Sequence, residues 1–179
     1  MNAPAIDPAA LRKAFGTYAT GVVVIGARGA DGLPVGMTVN SFSSVSISPP
    51  LVSFCPGRSS FAFPVYAAMQ HFSVSVLGEE HRGISDRFAR AGEHKWGGVK
   101  HRLGEGGVPV LEDAVAAFEC AVEERFDAGD HVIVVGRVLR FEQNGERSPL
   151  LFHGSRYHGL GAGLDSPQHV DLASLIGWG

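Results

Sequence analysis

Two long strand-like segments flank one short turn in the second half of the chain, and this pattern limits the fold more than any other feature. Residues 117–126 alternate in polarity, residues 131–141 contain the β-branched run 132–135, and residues 128–130 are Ala-Gly-Asp. Alternation with a period of two places successive side chains on opposite faces of a strand, and a glycine-containing turn between two such runs is typical of a hairpin. The pattern therefore predicts a long antiparallel hairpin in a β-rich fold.

Shorter strand-like segments surround this hairpin. Another hairpin is predicted over residues 21–27 and 34–42, with Asp31 and Gly32 in its turn. Four further strands are predicted over residues 43–47, 51–55, 71–77 and 149–153. In the 71–77 segment, polar residues alternate with apolar ones, which predicts a half-buried strand.

Three helices are predicted between these strands. The first follows the Asp7-Pro8 capping signal and extends to Tyr18, the second runs from Ser59 and Ser60 to about residue 69, and the third covers 79–90. Seven or eight strands with few helices between them favour an antiparallel barrel over a parallel doubly wound sheet.

Length and charge narrow the possible roles. The chain has 179 residues, of which 45% are hydrophobic, so we expect a single domain over residues 1–163 with a tail over 164–179. A net charge of −3 without a basic run argues against a nucleic-acid partner. Neither a secretion signal nor an apolar run long enough for a membrane span is evident, so we expect a cytoplasmic protein without membrane contact.

Common catalytic and metal-binding motifs are missing from the sequence. No GxGxxG follows the first strand, and no GxxxxGK[ST], HExxH, GxSxG or CxxC motif occurs. The eight histidines lack metal-ligand spacing, and Cys55 and Cys120 lie far apart, as expected of reduced, buried packing thiols. We therefore expect neither a metal site nor a Rossmann or hydrolase fold.

An unusual run of polar residues covers 36–46, which we call the polar ledge. It contains Thr38, Asn40 and Ser41, followed by serines at 43, 44 and 46. Such a run is uncommon in a core strand. It indicates either a face reserved for a ligand or an edge strand with solvated polar groups.

Several short segments, in this order and spacing, resemble the short-chain flavin reductases from about residue 11 to 157. They are Ala-Thr-Gly-Val at 19–22, the polar ledge, Ser-Pro-Pro-Leu-Val at 48–52, Phe-Ala at 88–89, Phe-Glu-Cys at 118–120, Gly-Asp-His at 129–131 and Pro-Leu-Leu at 149–151. That family includes the reductase components of two-component flavin-dependent monooxygenases.

The resemblance implies a mainly β fold, an antiparallel, Greek-key-like split barrel of the FMN-binding type, usually a homodimer. It also implies an NAD(P)H:flavin oxidoreductase that passes a hydride from NADH or NADPH to FMN or FAD and supplies reduced flavin to a partner oxygenase. Because the cofactors hold the reacting atoms, no catalytic protein group is required. The nucleotide type stays open, since residues 56–58 and 152–157 depart from the usual family pattern. The flavin type stays open as well, because it depends on the geometry of the loops at 94–107 and 153–157.

The same resemblance implies a set of cofactor-binding residues. Thr38, Asn40 and Ser41 would contact the flavin ring, and Arg87 would lie near the phosphate. His131 would orient the nicotinamide, with help from His153, Arg156 and Tyr157. Further members of the set are Met37, Val39, Ser53, Phe54, Cys55 and Phe88.

Ser59 and Ser60 complete the set for a physical reason. At a helix start, their hydroxyl and N–H groups could bind the flavin phosphate. Plainer interpretations remain for several residues: Ser59 and Ser60 as helix caps, Arg87 as a solvated charge, and His131 as a turn-closing residue.

Residues 91–107 are rich in glycine and predict a loop that serves as a lid or a dimer contact. Within it, Trp96 either stacks on a nucleotide or anchors the loop. Two other functions remain open from the sequence. One is a non-catalytic flavin-binding or haem-binding module, and the other is a flavoprotein whose bound FMN reduces another substrate, such as a corrinoid or a quinone.

Overall fold

The computed structural model describes residues 6–145 and 147–161. The predicted tail at 164–179 lies outside the described residues, so the domain division stays a prediction. Among the described residues, no helix is both long and apolar enough to cross a membrane.

Twelve strands and three α-helices make up the described chain. The helices are α1 Pro8–Phe15, α2 Phe63–Ala68 and α3 Arg82–Ala89, and short 3-10 turns cover Glu79–His81 and Glu105–Gly107. The strands are β1 Thr20–Gly21, β2 Val23–Arg28, β3 Pro34–Val39, β4 Ser43–Ile47, β5 Pro50–Phe54, β6 His71–Val76, β7 His101–Leu103, β8 Pro109–Leu111, β9 Ala116–Ala128, β10 His131–Gln143, β11 Leu151–His153 and β12 Arg156–His158.

Seven of these strands form one antiparallel sheet in the order β3-β2-β6-β9-β10-β5-β4. The outermost strands, β3 and β4, are consecutive in the chain but do not pair with each other. The sheet therefore stays open between them, as in a split barrel rather than a closed one. The predicted fold class, mainly β with antiparallel strands, is confirmed.

The predicted long hairpin is β9 and β10, at the centre of this sheet. Its register includes Ile133 opposite Phe126 and shifts between Val135 and Gly136. A Cβ on Gly136 would lie 2.3 Å from the ring of Phe72, so only glycine allows this strand to pass over that ring. The hairpin binds β6 on one side and β5 on the other, and so joins the two halves of the sheet.

Two apolar cores lie on opposite faces of the sheet. The first contains Phe54, Tyr66 and Phe72, and α2 closes it through a 3.0 Å hydrogen bond from Tyr66 Oη to the carbonyl of Ile25. The second contains Leu77 and Phe88 together with Trp96 and Leu150. Strands β2 and β6 are accordingly buried on both faces along most of their length.

This double burial corrects the prediction for β6. Ser73 and Ser75 were expected on a solvated face, but both are fully buried. The β7–β8 hairpin, which was not predicted from the sequence, accounts for this. Ser73 Oγ donates to the carbonyl of Pro109 at 2.5 Å, and Ser75 Oγ accepts from the N–H of Leu111 at 3.2 Å.

The helix ends also refine the prediction. α1 is capped as expected, because the Asp7 carboxylate accepts from the N–H groups of Ala9 and Ala10. α2 begins at Phe63 and has no side-chain cap, so the prediction that Ser59 and Ser60 start this helix is wrong. The chain first makes turns in which the N–H of Phe63 donates to the carbonyl of Ser60.

A buried carboxylate on β9 generates a stability prediction. Glu119, with 3% of its side chain exposed, accepts from Arg102 Nη1 at 2.7 Å and from the N–H of Glu105 at 2.7 Å. Burial alone would raise the pKa of this carboxyl, but these two donors outweigh it and hold the pKa below its ordinary value. The ionised form therefore stabilises the fold.

We expect Glu119→Gln to lower the free energy of unfolding at neutral pH by about 1–3 kcal/mol, because a buried donor loses its charged acceptor. The pKa of Glu119 in the folded protein lies below the ordinary Glu pKa. Ionised Glu119 therefore stabilises the wild type at pH values above the ordinary Glu pKa, and this stabilisation is lost as the pH falls through the folded pKa. Urea unfolding from neutral to acidic pH tests this, with Glu124→Gln as the control, because Glu124 is exposed on the same strand. An equal acid dependence in wild type and Glu119→Gln would contradict it.

Candidate functional site

The polar ledge consists of most of β3, the link 40–42 and nearly all of β4. Alternation along β3 separates its side chains: Met37 and Val39 pack against the first core, whereas Thr38 faces α3. Thr38 Oγ1 donates to the carbonyl of Ser85 at 2.8 Å. The Thr38 hydroxyl therefore already has a structural partner, and Met37 and Val39 contribute mainly to packing.

A cleft of about 920 Å³ lies beside the link and is called the ledge cleft here. Its walls include Phe15 at the end of α1, Tyr18 and Thr20 from the residues that follow, residues 40–43 of the ledge, and Phe152 with Ser155. Two of the three predicted ring contacts, Asn40 and Ser41, thus border a cavity of ligand size.

The polar groups of the ledge cleft differ in what they already bind. Ser41 Oγ accepts from the N–H of Cys55 at 3.0 Å and ties the link to the end of β5. Asn40 is exposed. Thr20 Oγ1 is buried and has no hydrogen-bond partner within residues 6–145 and 147–161. A buried hydroxyl without a partner is costly, so Thr20 is suited to bind a polar ligand atom.

The next three predicted contacts, Ser53, Phe54 and Cys55, lie at the end of β5 and direct their side chains to alternate faces. Ser53 and Cys55 are half-buried on one face, and Ser53 lies opposite Ser43 in the register. Burial raises the pKa of the Cys55 thiol. Phe54 points the other way and is fully buried in the first core, and Phe88 is 1% exposed in the second. Both side chains serve core packing, and the prediction that these two residues contact a cofactor stays a prediction.

A second cavity, of about 630 Å³, is called the loop cavity here. It is enclosed by the β2–β3 turn and the start of β3, by Phe61, Ala62 and Val65, by the loop 92–97, and by His101. The Trp96 ring lies 4.7 Å from that of Phe88 and 5.0 Å from that of His101, between ring centroids. Of the two predicted roles of Trp96, anchoring of the loop is confirmed.

One cation lies inside the wall of the loop cavity. Lys95 Nζ donates to the carbonyl of Gly36 at 3.3 Å and to that of Phe88 at 3.2 Å. Burial lowers the pKa of the Lys95 ammonium. This residue was noted in the sequence only as part of a lid, because nothing in a glycine-rich loop indicates that its lysine folds back onto β3.

The residues predicted to bind phosphate lie around this second cavity. Ser60 directly precedes the cavity residue Phe61, and its buried Oγ lacks a hydrogen-bond partner in the part of the chain that the structure describes. Ser59 is exposed. Arg87 Nη1 donates to the carbonyl of Gly97 at 2.9 Å and so fixes the loop that forms one wall. Arg87 is thus a loop-holding residue in addition to any role towards a ligand.

The residues predicted to bind nicotinamide occupy two different neighbourhoods. His131 begins β10, where its Nδ1 lies 2.7 Å from Asp130 Oδ1 and where it bridges Gly57. The hydrogen bond from His131 lowers the pKa of the Asp130 carboxyl. Tyr157, in contrast, contacts α3, since its Oη lies 2.8 Å from Ser85 Oγ. The plainer role of His131, closing the turn, is present in the structure.

Two more residues of that group, His153 and Arg156, are exposed on the β11–β12 hairpin.

Thr20 was not among the predicted site residues, although it belongs to the Ala-Thr-Gly-Val segment at 19–22 that resembles the family. Its missing hydrogen-bond partner appears only once the surrounding side chains are placed.

Comparison with known proteins places this geometry in context. The family model described as "Flavin reductase like domain" matches residues 15–161. A Rhizobium meliloti (strain 1021) protein named "Probable flavin reductase" is 45% identical over 145 residues, which cover 81% of this chain but 47% of the relative. The chain thus spans about half the length of that relative.

Two solved structures match over nearly their whole length. The NADH:FAD oxidoreductase of Streptomyces globisporus C-1027, in complex with NAD and FAD fragments, has 36% identity and a TM-score of 0.83, covering 91% of this chain and 100% of the other. The styrene monooxygenase flavin reductase of Pseudomonas putida S12 has 34% identity and a TM-score of 0.78, covering 86% and 99%.

The contact between Tyr157 and Ser85 generates a prediction about the site's framework. Tyr157→Phe removes the hydroxyl but keeps the ring that Arg82 covers at 5.6 Å. We expect the free energy of unfolding to fall by about 1 kcal/mol, as for one hydrogen bond. Chemical denaturation measures this, with Tyr18→Phe as the control because Tyr18 is 77% exposed. Equal losses in the two variants would contradict a specific role for the pair.

Proposed function

The chain belongs to the flavin reductase-like domain family, and from that premise we propose that it is an NAD(P)H:flavin oxidoreductase. The observation that carries the proposal is the ledge cleft, which lies beside Asn40 and Ser41 and contains the unpartnered hydroxyl of Thr20. The cofactors supply the chemistry: a hydride leaves C4 of the dihydronicotinamide, which is oxidised, for N5 of the flavin, which is reduced and takes up a proton from water.

The protein's own residues have to hold and orient the two rings. The carboxamide of Asn40 and the hydroxyls of Thr20 and Ser41 can donate to the oxygen and nitrogen acceptors at the flavin edge, where negative charge grows during reduction. No acid or base on the protein is required, which fits a cleft lined by neutral polar groups at the ledge. Phe15 and Phe152 supply apolar walls against which a flat ring can pack.

The nicotinamide contacts follow as part of the same proposal. His131, His153 and Arg156 carry exposed polar side chains, but His131 begins β10, whereas His153 and Arg156 lie opposite each other on the β11–β12 hairpin. A homodimer would allow such separated residues to act at shared sites. Two features support dimer formation: α1 buries none of its residues, and Val45 and Ile47 of the edge strand β4 are 45% and 61% exposed.

The partner of the reaction is an oxygenase that accepts the released reduced flavin. The support comes from a relative whose name identifies it as the reductase of a styrene monooxygenase. We also propose that the chain works in the cytoplasm, where NADH and NADPH are available.

Steady-state rates with the purified protein test the proposal. We expect NADH or NADPH to be oxidised only when FMN or FAD is added, with the flavin behaving as a dissociable substrate. A protein that oxidises neither nucleotide with either flavin would refute the function. Stoichiometric retention of flavin or haem without turnover would indicate a binding module, and a retained flavin that turns over with another acceptor would indicate a bound prosthetic group.

Thr20 and Thr38 offer a matched pair of variants. Thr20→Val removes a hydroxyl that has no partner in the described protein, so we expect unchanged stability and a roughly tenfold loss of kcat/KM for flavin, the equivalent of one hydrogen bond. Thr38→Val removes a hydroxyl bound to Ser85, so we expect about 1 kcal/mol less stability. Denaturation and flavin titrations of both variants measure this. Wild-type flavin kinetics in the Thr20→Val enzyme would show that the Thr20 hydroxyl does not bind flavin.

A further inference from the structure

Two different sheets border the ledge cleft. The link after β3, in the seven-stranded sheet, supplies Asn40 and Ser41, whereas the three-stranded sheet β1-β11-β12 supplies Thr20 and Phe152. Hydride transfer requires the donor and acceptor atoms to be held roughly 3–3.5 Å apart. The separation of these two walls therefore affects the rate of the proposed reaction.

Ser85 on α3 hydrogen-bonds to both sheets. Its carbonyl accepts from Thr38 Oγ1 at 2.8 Å, and its Oγ lies 2.8 Å from Tyr157 Oη. Thr38 precedes Asn40 by two residues, and Tyr157 lies opposite Phe152 in the β11–β12 register. A single residue thus links the ledge to the sheet on the other side of the cleft.

The side chain of Tyr157 helps to fix the position of Phe152. Their rings form an edge-to-face pair with centroids 5.5 Å apart. The strand that carries Phe152 is joined to β1 over two residue pairs, Thr20 with Phe152 and Gly21 with Leu151. Because this pairing is short, the hydrogen bond from Ser85 to Tyr157 adds a restraint on the wall that Phe152 forms.

Burial separates Ser85 from any ligand. Ser85 is fully buried and does not line the ledge cleft. An effect of its hydroxyl on the reaction must therefore pass through the residues to which Ser85 is bonded.

We propose that Ser85 is a positioning residue, which fixes the separation of the two cleft walls through Thr38 and Tyr157 and thereby the distance over which the hydride moves. This inference rests on the proposed function. Without the Ser85 hydroxyl, the β11–β12 hairpin shifts relative to the ledge, while Asn40 and Ser41 keep their places. The chemical step then slows more than flavin binding weakens.

Ser85→Ala is the primary test, because it breaks the link to Tyr157 and keeps the carbonyl that accepts from Thr38. With saturating NADH and FMN or FAD, we expect kcat to fall about tenfold and the KM for flavin to stay near that of the wild type. The primary isotope effect with NADH deuterated at C4 should increase, because hydride transfer then limits the rate more strongly.

Ser73→Ala is the matched control. Ser73 is also fully buried, and its hydroxyl donates to the carbonyl of Pro109 on the other side of β6 from the cleft residues. We expect this variant to lose stability as Ser85→Ala does, with an unchanged isotope effect. A general loss of stability reduces the fraction of active enzyme but does not alter the chemical step of the molecules that stay folded.

Tyr157→Phe breaks the same hydrogen bond from the other side and keeps the aromatic ring. It should raise the isotope effect as Ser85→Ala does. The double variant should be no slower than the slower single variant, because both changes remove one interaction. Multiplied losses in the double variant would overturn the inference.

Amide hydrogen exchange tests the link without turnover. Ser85→Ala should speed exchange over residues 151–158 relative to the wild type, whereas Ser73→Ala should not. Unchanged exchange there, or an isotope effect in Ser85→Ala equal to that of the wild type, would overturn the inference. A wild type that oxidises neither nucleotide with either flavin refutes the proposed function instead, and exchange then decides alone whether Ser85 holds the hairpin.

Discussion

The pairing of β9 with β10 is the interaction on which the rest of the structure depends. This hairpin holds β6 on one side and β5 on the other, so it joins the two halves of the sheet whose outermost strands, β3 and β4, carry the polar ledge. Strand β10 passes over the ring of Phe72 only because residue 136 is glycine. The polar ledge can then occupy the open margin of the sheet, where β3 and β4 do not pair and backbone groups remain available.

The sequence predicts this framework well, for a physical reason. Strand alternation and turn residues are local signals, and they identified both hairpins and the edge strand β4. The Asp7 cap located α1 for the same reason. The order of short polar segments identified the family, and the match over residues 15–161 confirms it. Asn40 and Ser41 were found because they lie in the longest of those segments.

What the sequence missed depends on contacts between distant segments. The three-residue strand β8 carries almost no periodic signal, yet it buries Ser73 and Ser75 and so reverses the expected exposure of β6. Phe54 and Phe88 stand beside polar residues of the family motifs, but strand and helix geometry directs their side chains into the cores. The contacts of Lys95 with Gly36 and Phe88, and the missing hydrogen-bond partner of Thr20, are defined only by the folded structure.

Three of the four buried polar side-chain atoms that lack a hydrogen-bond partner among the described residues lie at the two cavities. Most buried polar groups of the framework are paired, as Glu119 is with Arg102 and Ser85 with Tyr157, and the exception is Arg125 Nε on β9. The hydroxyls of Thr20 and Ser60 and the indole N–H of Trp96 lack partners among the described residues, and each lies in or next to the wall of one of the two cavities. A folded chain retains such costs where a ligand removes them.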